Sequence, residues 1–488
     1  MKRPLLFLSL TLSLFIVLSP ASALAATQSL LLGSSGNDVV ELQTILISKG
    51  YLPTGKNTGY FGPLTEAAIK KFQCDKAIMC ASNAVTGYGM YGPRTRAILL
   101  GDTGSVTGSS AGGVSYSGPL EFSGWIPYWR AATGTKDVLP HLAQLKSVMP
   151  FGYTMKNDGT LADTAHLTEE PWKSFIAAAK KSNVRVIPTV MWGNGDTIHE
   201  ILSNTKTRIA LEDEIANTVK QNGFDGIDID FEAKKHETID YFSTFLKGLY
   251  QRMGNKWVYC TIEARMPLDH RYSPGAIIPA DAQDFANDYV ALNKYCDRVE
   301  IMAYDQGTID LSLNKARSAP YAPIADPAWV ENLVTLAAKD IDKKKIIIGV
   351  PTYGYEYTVT PNANGKFTYK VLWPFNLRYG TDIAAKLGIT PVRNSANEIG
   401  FMYDPAKLAA VAPTGNESTQ TQQATVSMSV VENAGSQVNT SLPFNYLSWS
   451  DASAIADKVA LARKLGVRGV AVFKFDGGED PAMWGVLK

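Results

Sequence analysis

The sequence predicts an α/β fold, a (β/α)8 TIM barrel, carried behind a small N-terminal three-helix domain. Three observations lead there. Eight short, β-rich apolar runs alternate with helix-like segments over about 370 residues. No GxGxxG follows the first run, which disfavours the doubly wound sheet that would otherwise compete. The fourth run, 224-FDGIDIDF-231, alternates carboxylates with Ile and Phe, as a strand with one charged face does.

Taken in order, residues 1–25 read as a secretory signal peptide. Lys2 and Arg3 form a basic start, Leu5 to Leu18 an apolar core, and Ala23-Leu24-Ala25 a small-x-small cleavage site. The mature protein is therefore expected to be secreted, acting in the cell wall or periplasm, with no membrane span after cleavage. Over the 488 residues, 47 basic and 46 acidic side chains leave a net charge of +1, which argues against a nucleic-acid partner. The 22 Tyr and 9 Trp suit stacking on sugars, and equally suit a large core. Five scattered His without HExxH give no metal site, and no cofactor is expected. Of four Cys, Cys74 and Cys80 are expected to pair across a short loop; Cys260 and Cys296 are either buried thiols or a second pair. A monomer is expected.

Residues 30–100 form the small domain. The stretch 36-GNDVVELQTILISKGYL-52 has Val39, Leu42, Ile45 and Leu46 on one helical face and ends at Gly50. A glycine turn and a second helix follow in 59-GYFGPLTEAAIKKFQ-73, with Pro63 in its first turn. The same pattern is echoed in 90-MYGPRTRAIL-99. These spacings resemble the peptidoglycan-binding type 1 module through Gly36, Val39, Leu42, Gln43, Leu46, Gly50, Tyr51, Gly59, Phe61, Gly62, Pro63, Thr65, Ala68, Phe72 and Gln73. The resemblance implies a glycan partner, peptidoglycan or another N-acetylglucosamine-containing polymer. Residues 101–118 are Gly/Ser/Thr-rich and read as a flexible linker.

The barrel is expected over 119–488. Its strand runs are 122-FSGWIPYW-129, 148-VMPFGYTM-155, 184-VRVIPTV-190, 224-FDGIDIDF-231, 257-WVYCTIEA-264, 298-RVEIMAYD-305, 345-KIIIGVPTYG-354 and 467-VRGVAVFKFD-476. One interval breaks the rhythm. About 355–445 is far too long for a connection and is expected to be a small α+β insertion after strand seven, with a polar, mobile or hairpin-forming tract near 414–425.

On a barrel strand the C-terminal end reaches the active site, so Glu232 stands at the mouth with Asp230 and Asp228 progressively deeper. Like charges at that spacing raise some pKa values and leave protons shared, which suits Glu232 as a proton donor. A calcium loop is the bland alternative, but Ile and Phe between the carboxylates speak for a strand.

DGIDIDFE matches the DxxDxDxE motif of glycoside hydrolase family 18 through Asp225, Asp228, Asp230 and Glu232, and IMAYD matches its MxYD through Met302, Tyr304 and Asp305. The pattern is close to the YaaH/SleL-like N-acetylglucosaminidases of the spore-cortex and cell-wall branch. The resemblance implies retaining, substrate-assisted cleavage of a β-1,4 bond after N-acetylglucosamine. Glu232 would serve as acid and base, Asp230 would hold the acetamido N–H, and Tyr304 would hold its oxygen. Where chitinases of the family carry a Trp floor, this chain has Phe473; Trp449 is a weaker aromatic candidate. Tyr128 and Tyr353 are further candidate substrate contacts at strand ends, as are Trp129, Tyr153, Trp192 and Tyr355. A chitinase, or a non-catalytic glycan-binding barrel, are the competing readings; the presence of Glu232 weighs against the second.

Overall fold

The computed structural model describes residues 30–76, 78, 88–100, 115–362, 366–411 and 439–488. The expected signal peptide, most of the linker, Cys80 with its expected bond to Cys74, and the tract near 414–425 lie outside the described residues. The chain divides at Val106/Thr107 into two compact units.

The first unit contains helices Asn37–Ser48, Pro63–Asp75 and Pro93–Leu100. Val39, Leu42, Leu46, Phe61, Ile69, Phe72 and Leu99 make its core. The sequence echo has a structural counterpart in two buried glutamines. Gln43 Nε2 donates to Tyr60 O (2.8 Å) and Thr65 Oγ1 (2.9 Å), while its Oε1 accepts from Gly59 N (2.9 Å). Gln73 repeats the pattern with Met90 O (3.0 Å), Thr95 Oγ1 (3.0 Å) and Gly89 N (2.8 Å). Each amide thereby pins the turn that starts the next helix. Gly59 and Gly89 take φ of 74° and 88°, the left-handed region where a side chain would be strained.

The second unit is a closed barrel of eight parallel strands. They are Glu121–Pro127, Ser147–Met155, Thr189–Trp192, Gly226–Phe231, Trp257–Glu263, Arg298–Met302, Ile346–Pro351 and Gly469–Phe473. The first strand pairs with both the eighth and the second, which closes the ring. The third run, expected over 184–190, is instead split into Arg185–Val186 and Thr189–Trp192. Pro188 between them has no N–H for the ladder, and its carbonyl accepts from Asp228 N (2.9 Å). Outward-facing Ile and Val pack on helices such as Trp172–Lys181, Thr205–Gln221, Ile239–Met253, Pro327–Ala337 and Ala452–Leu465. Cys260 and Cys296, left open by the sequence, are joined, with Cα atoms 6.0 Å apart. Their bond ties the fifth strand to the turn that leads into the sixth.

The long interval after strand seven folds as a five-stranded antiparallel sheet with a helix, Leu377–Leu387. Its strands are Tyr353–Pro361, Phe367–Asn376, Val392–Arg393, Ile399–Tyr403 and Phe444–Trp449. Buried Glu356 fastens the sheet by accepting from Tyr379 Oη (2.6 Å), Tyr403 Oη (2.5 Å) and Asn445 Nδ2 (2.7 Å).

The N-terminal end of the barrel is plugged by one carboxylate among arginines. Glu121 accepts from Arg298 Nε (2.7 Å) and Nη2 (2.9 Å) and from Arg468 Nη2 (2.5 Å), with Arg185 Nη1 at 3.9 Å. Burial alone would raise the Glu121 pKa, but Arg298 and Arg468 overcome it and hold the carboxyl at about 2. A depressed carboxylate stabilises the fold above its unfolded pKa near 4.5 and loses that stabilisation as the pH falls toward 2. The difference is worth about 3 kcal/mol. Urea unfolding between pH 7 and pH 3 should therefore show Glu121→Gln strongly destabilising at neutral pH, with the gap to the parent protein narrowing steadily on acidification. A gap independent of pH would mean that the ion pairs contribute nothing through Glu121's charge.

Candidate active site

The site is assembled on the inward-facing positions of neighbouring strands. Because parallel strands place every second residue inside, Asp228 and Asp230 both project into the barrel, Asp228 level with Thr189 and Tyr259, and Asp230 with Thr261. Glu232 follows at the mouth and is half-buried.

Asp228 is fully buried and receives three donors: Trp125 Nε1 (3.0 Å), Thr189 Oγ1 (2.8 Å) and Thr261 Oγ1 (2.8 Å). Burial raises its pKa, and these three donors oppose the rise. Asp230 is almost as buried but has a different environment. Its Oδ1 makes no hydrogen bond among the described residues. Burial first, then the charges of Glu232 and Asp228, push its pKa well up. Glu232 is raised as well, by burial, Glu263 and Asp305, against the pull of Lys234. All three carboxyls of the row thus have raised pKa values. Their protons are a property of the set rather than of one residue.

Around the mouth, Asp305 takes φ 59° and accepts from Tyr353 Oη (2.6 Å) and Tyr355 Oη (2.9 Å). Tyr304 is buried beside it, stacked on Phe473 with centroids 5.4 Å apart and planes 16° apart. Phe473 also meets Trp125 (5.9 Å) and Tyr353 (6.1 Å) edge-on, so this half-buried ring borders Trp125, itself a donor to Asp228. Met302 packs in the same aromatic cluster. Tyr128 and Trp129 leave the first strand as an exposed, edge-to-face pair 4.9 Å apart.

Four of the residues singled out from sequence are elsewhere. Tyr153 and Trp192 are buried in the core between the barrel and its helices, against Phe224 and Phe231. Asp225 lies at the opposite end of the fourth strand from Glu232, and its Oδ2 accepts from Val186 N (2.9 Å); it clamps the third strand's entry. Trp449 is 1% exposed in the core of the insertion, between Phe375 and Phe401, and has no face to offer a ligand.

Several neighbours escaped the motif reading. Trp125, Thr189 and Thr261 are polar-tipped residues at inward positions of apolar strands, and that mismatch was a usable signal. Lys234 was hidden in the loop after Glu232. Its Nζ is buried against Phe231 O and lies 3.4 Å from Glu263 Oε2. Glu263 also accepts from Ala233 N (3.0 Å) and Asn287 Nδ2 (2.7 Å).

A model of the glycosyl hydrolases family 18 matches residues 124–478. The chain belongs to that family. A model for a peptidoglycan binding domain matches residues 35–78. Two Bacillus subtilis glycosylases are relatives. YvbX is 25% identical over 34% of this chain and 44% of its own length; YdhD is 27% identical over 44% and 47%. The chain thus spans about half the length of these curated relatives. Among solved structures, the Bacillus cereus spore cortex-lytic enzyme SleL superposes with a TM-score of 0.54 at 18% identity, over 77% of this chain and 74% of that one. A chitinase from Chromobacterium violaceum gives 0.54 at 18%, over 76% and 98%. These likenesses establish a shared family 18 barrel fold.

The electrostatics of this family 18 site make a prediction independent of turnover. Glu263 raises the Glu232 pKa, whereas Lys234 lowers it. Glu263→Gln removes the first influence and leaves the second, so Glu232 should release its proton at lower pH. Carboxyl 13C NMR titration of Glu-labelled protein, assigned with Glu232→Gln, reads this directly. An unchanged or higher midpoint would contradict the assigned balance of charges.

Proposed function

We propose that the protein is a secreted glycosidase that cleaves β-1,4 bonds after N-acetylglucosamine in peptidoglycan, with retention of configuration. The observation that carries this reading is the graded carboxyl row. One raised acid stands at the mouth, and behind it a buried Asp230 has an unclaimed oxygen. Glu232 gives its proton to the glycosidic oxygen as the C1–O bond breaks. The sugar's own acetamido oxygen attacks C1, forming an oxazolinium ion. Asp230 accepts the acetamido N–H, Tyr304 donates its hydroxyl to the acetamido oxygen, and the Phe473 ring supports the sugar face. Water then adds at C1 as the C1–O bond to the acetamido oxygen breaks, restoring the acetamido group, and gives its proton to Glu232.

A substrate nucleophile is favoured because the two carboxylates beside Glu232 outside the row, Asp305 and Glu263, are engaged. Asp305 Oδ1 takes two tyrosine hydroxyls, and Glu263 holds Ala233 N, Lys234 and Asn287. The choice of peptidoglycan rests on the N-terminal domain match. Export rests on the N-terminal sequence pattern, and the Cys260–Cys296 bond suits an oxidising compartment.

Digestion of purified peptidoglycan by the mature protein, beside Glu232→Gln, tests the proposal. New reducing N-acetylglucosamine ends should appear with the parent protein, and the variant should be slower by about 100-fold or more. N-acetylmuramic acid ends would overturn the bond specificity. Cleavage of chitooligosaccharides but not peptidoglycan would make the protein a chitinase, and binding without cleavage by either protein would make it a lectin.

A further inference from the structure

Beside the three carboxyls of the proposed mechanism stands a fourth. Glu300, on the sixth strand, is fully buried inside the barrel, and its strand position is level with Thr261. Two hydroxyls reach it: Ser123 Oγ at 3.5 Å from Oε1, and Thr261 Oγ1 at 3.4 Å from Oε2. The second contact decides its state. Thr261 Oγ1 is also 2.8 Å from Asp228 Oδ1, and a threonine hydroxyl has one hydrogen to give. The shorter contact claims it, because Asp228 is the carboxylate already taking Trp125 and Thr189 as donors. Toward Glu300 the same oxygen can then only accept, so a hydrogen shared across that 3.4 Å contact comes from Glu300.

We propose that Glu300 is a positioning residue. It is a neutral carboxylic acid that donates to Thr261, holds that hydroxyl as a donor to Asp228, and so keeps Asp228 ionised and the row's shared proton above it, between Asp230 and Glu232. The inference rests on the roles proposed for Asp230 and Glu232.

The surroundings agree. Burial and then the Asp228 charge push the Glu300 pKa well up. The cation that opposes them, Arg298 on the same strand, is turned to Glu121 at the barrel floor with paired hydrogen bonds. From the first and fifth strands the facing groups are the Ser123 and Thr261 hydroxyls. Tyr304, on the segment leaving the sixth strand, is the remaining titratable neighbour, and its own pKa is raised, so it stays neutral there. A carboxyl placed so, between an anion and a committed arginine, has reason to keep its proton.

The test compares Glu300→Leu, Glu300→Gln and Thr261→Val in the full chain. Leucine removes the donor at similar size, glutamine restores a neutral N–H donor, and valine removes the relay. With Thr261 released, Asp228 takes up a proton more readily. Glu300→Leu and Thr261→Val should therefore lower kcat by about tenfold with KM little changed, and move the acid limb of the kcat profile to higher pH. Glu300→Gln should recover most of the rate and keep the limb in place. If glutamine damages the enzyme as much as leucine, or shifts the limb to lower pH, Glu300 works as an anion and the proposal fails. If neither variant moves the limb, its role is packing alone and the proposal fails.

A second measurement does not need turnover. The infrared difference between the parent protein and Glu300→Gln at neutral pH should contain the C=O band of a protonated carboxyl, and its absence would overturn the proposal. Should no protein in the series cleave glycan, the proposed function fails, while the infrared result still decides the state of Glu300.

Discussion

Like charge stacked along the axis of a closed barrel is the constraint that organises this molecule. Asp228, Asp230, Glu232 and Glu300 project into one channel, two of them with no surface at all. Such a column survives only if charge is removed from it or answered within it. Both devices are present. Burial raises the pKa of all four; at Asp228 three short hydrogen bonds oppose the rise, while Asp230 and Glu300 are pushed well up. Beneath the column, Glu121 gathers Arg298 and Arg468 into the floor, so the axis runs from a cationic base to an acidic mouth. The same polarisation that makes the column costly to bury leaves a proton available at the exposed end.

Much of the fold was legible because barrel strands carry a strong signal. Ile227, Ile229 and Phe231 face the helices and the carboxylates between them face inward, so one strand announced both its period and its site. The N-terminal domain was equally open. The recurrence of GPxT reflects Gln43 and Gln73 each needing a glycine turn and a threonine hydroxyl at the same offsets. The third strand was read too simply, because Pro188 interrupts the ladder without interrupting the apolar run.

The site was less legible where partners come from different strands. Asp225 belongs to the motif string, yet three residues before Asp228 the strand is at the other end of the barrel, and only the Val186 contact shows what the residue does. Trp449 illustrates the same limit. An aromatic beside a predicted cleft carries no information about which way it faces, and the insertion sheet needed it for its own core. Conversely Lys234 follows the fourth strand while Thr261 and Glu263 lie on the fifth, and no local pattern joins the two segments. Their relation exists only once register sets Asp230 level with Thr261.

The contrast between Asp228 and Glu300 shows why composition cannot assign protonation. Both are fully buried acids in the same layer of the barrel, and both touch the hydroxyl of Thr261. What separates them is the count of hydrogens pointed at each. Asp228 has an indole and two hydroxyls at 3.0 Å or less, whereas Glu300 has two hydroxyls at 3.4 and 3.5 Å, one of which is already spent. Transferring the charge from Asp228 to Glu300 would strand three donors and leave an anion with weak support. Desolvation makes that exchange expensive, so the two carboxyls differ in state although they differ little in depth. A barrel that keeps Glu300 neutral can tolerate a charged Asp228 directly beneath a proton held for the mouth.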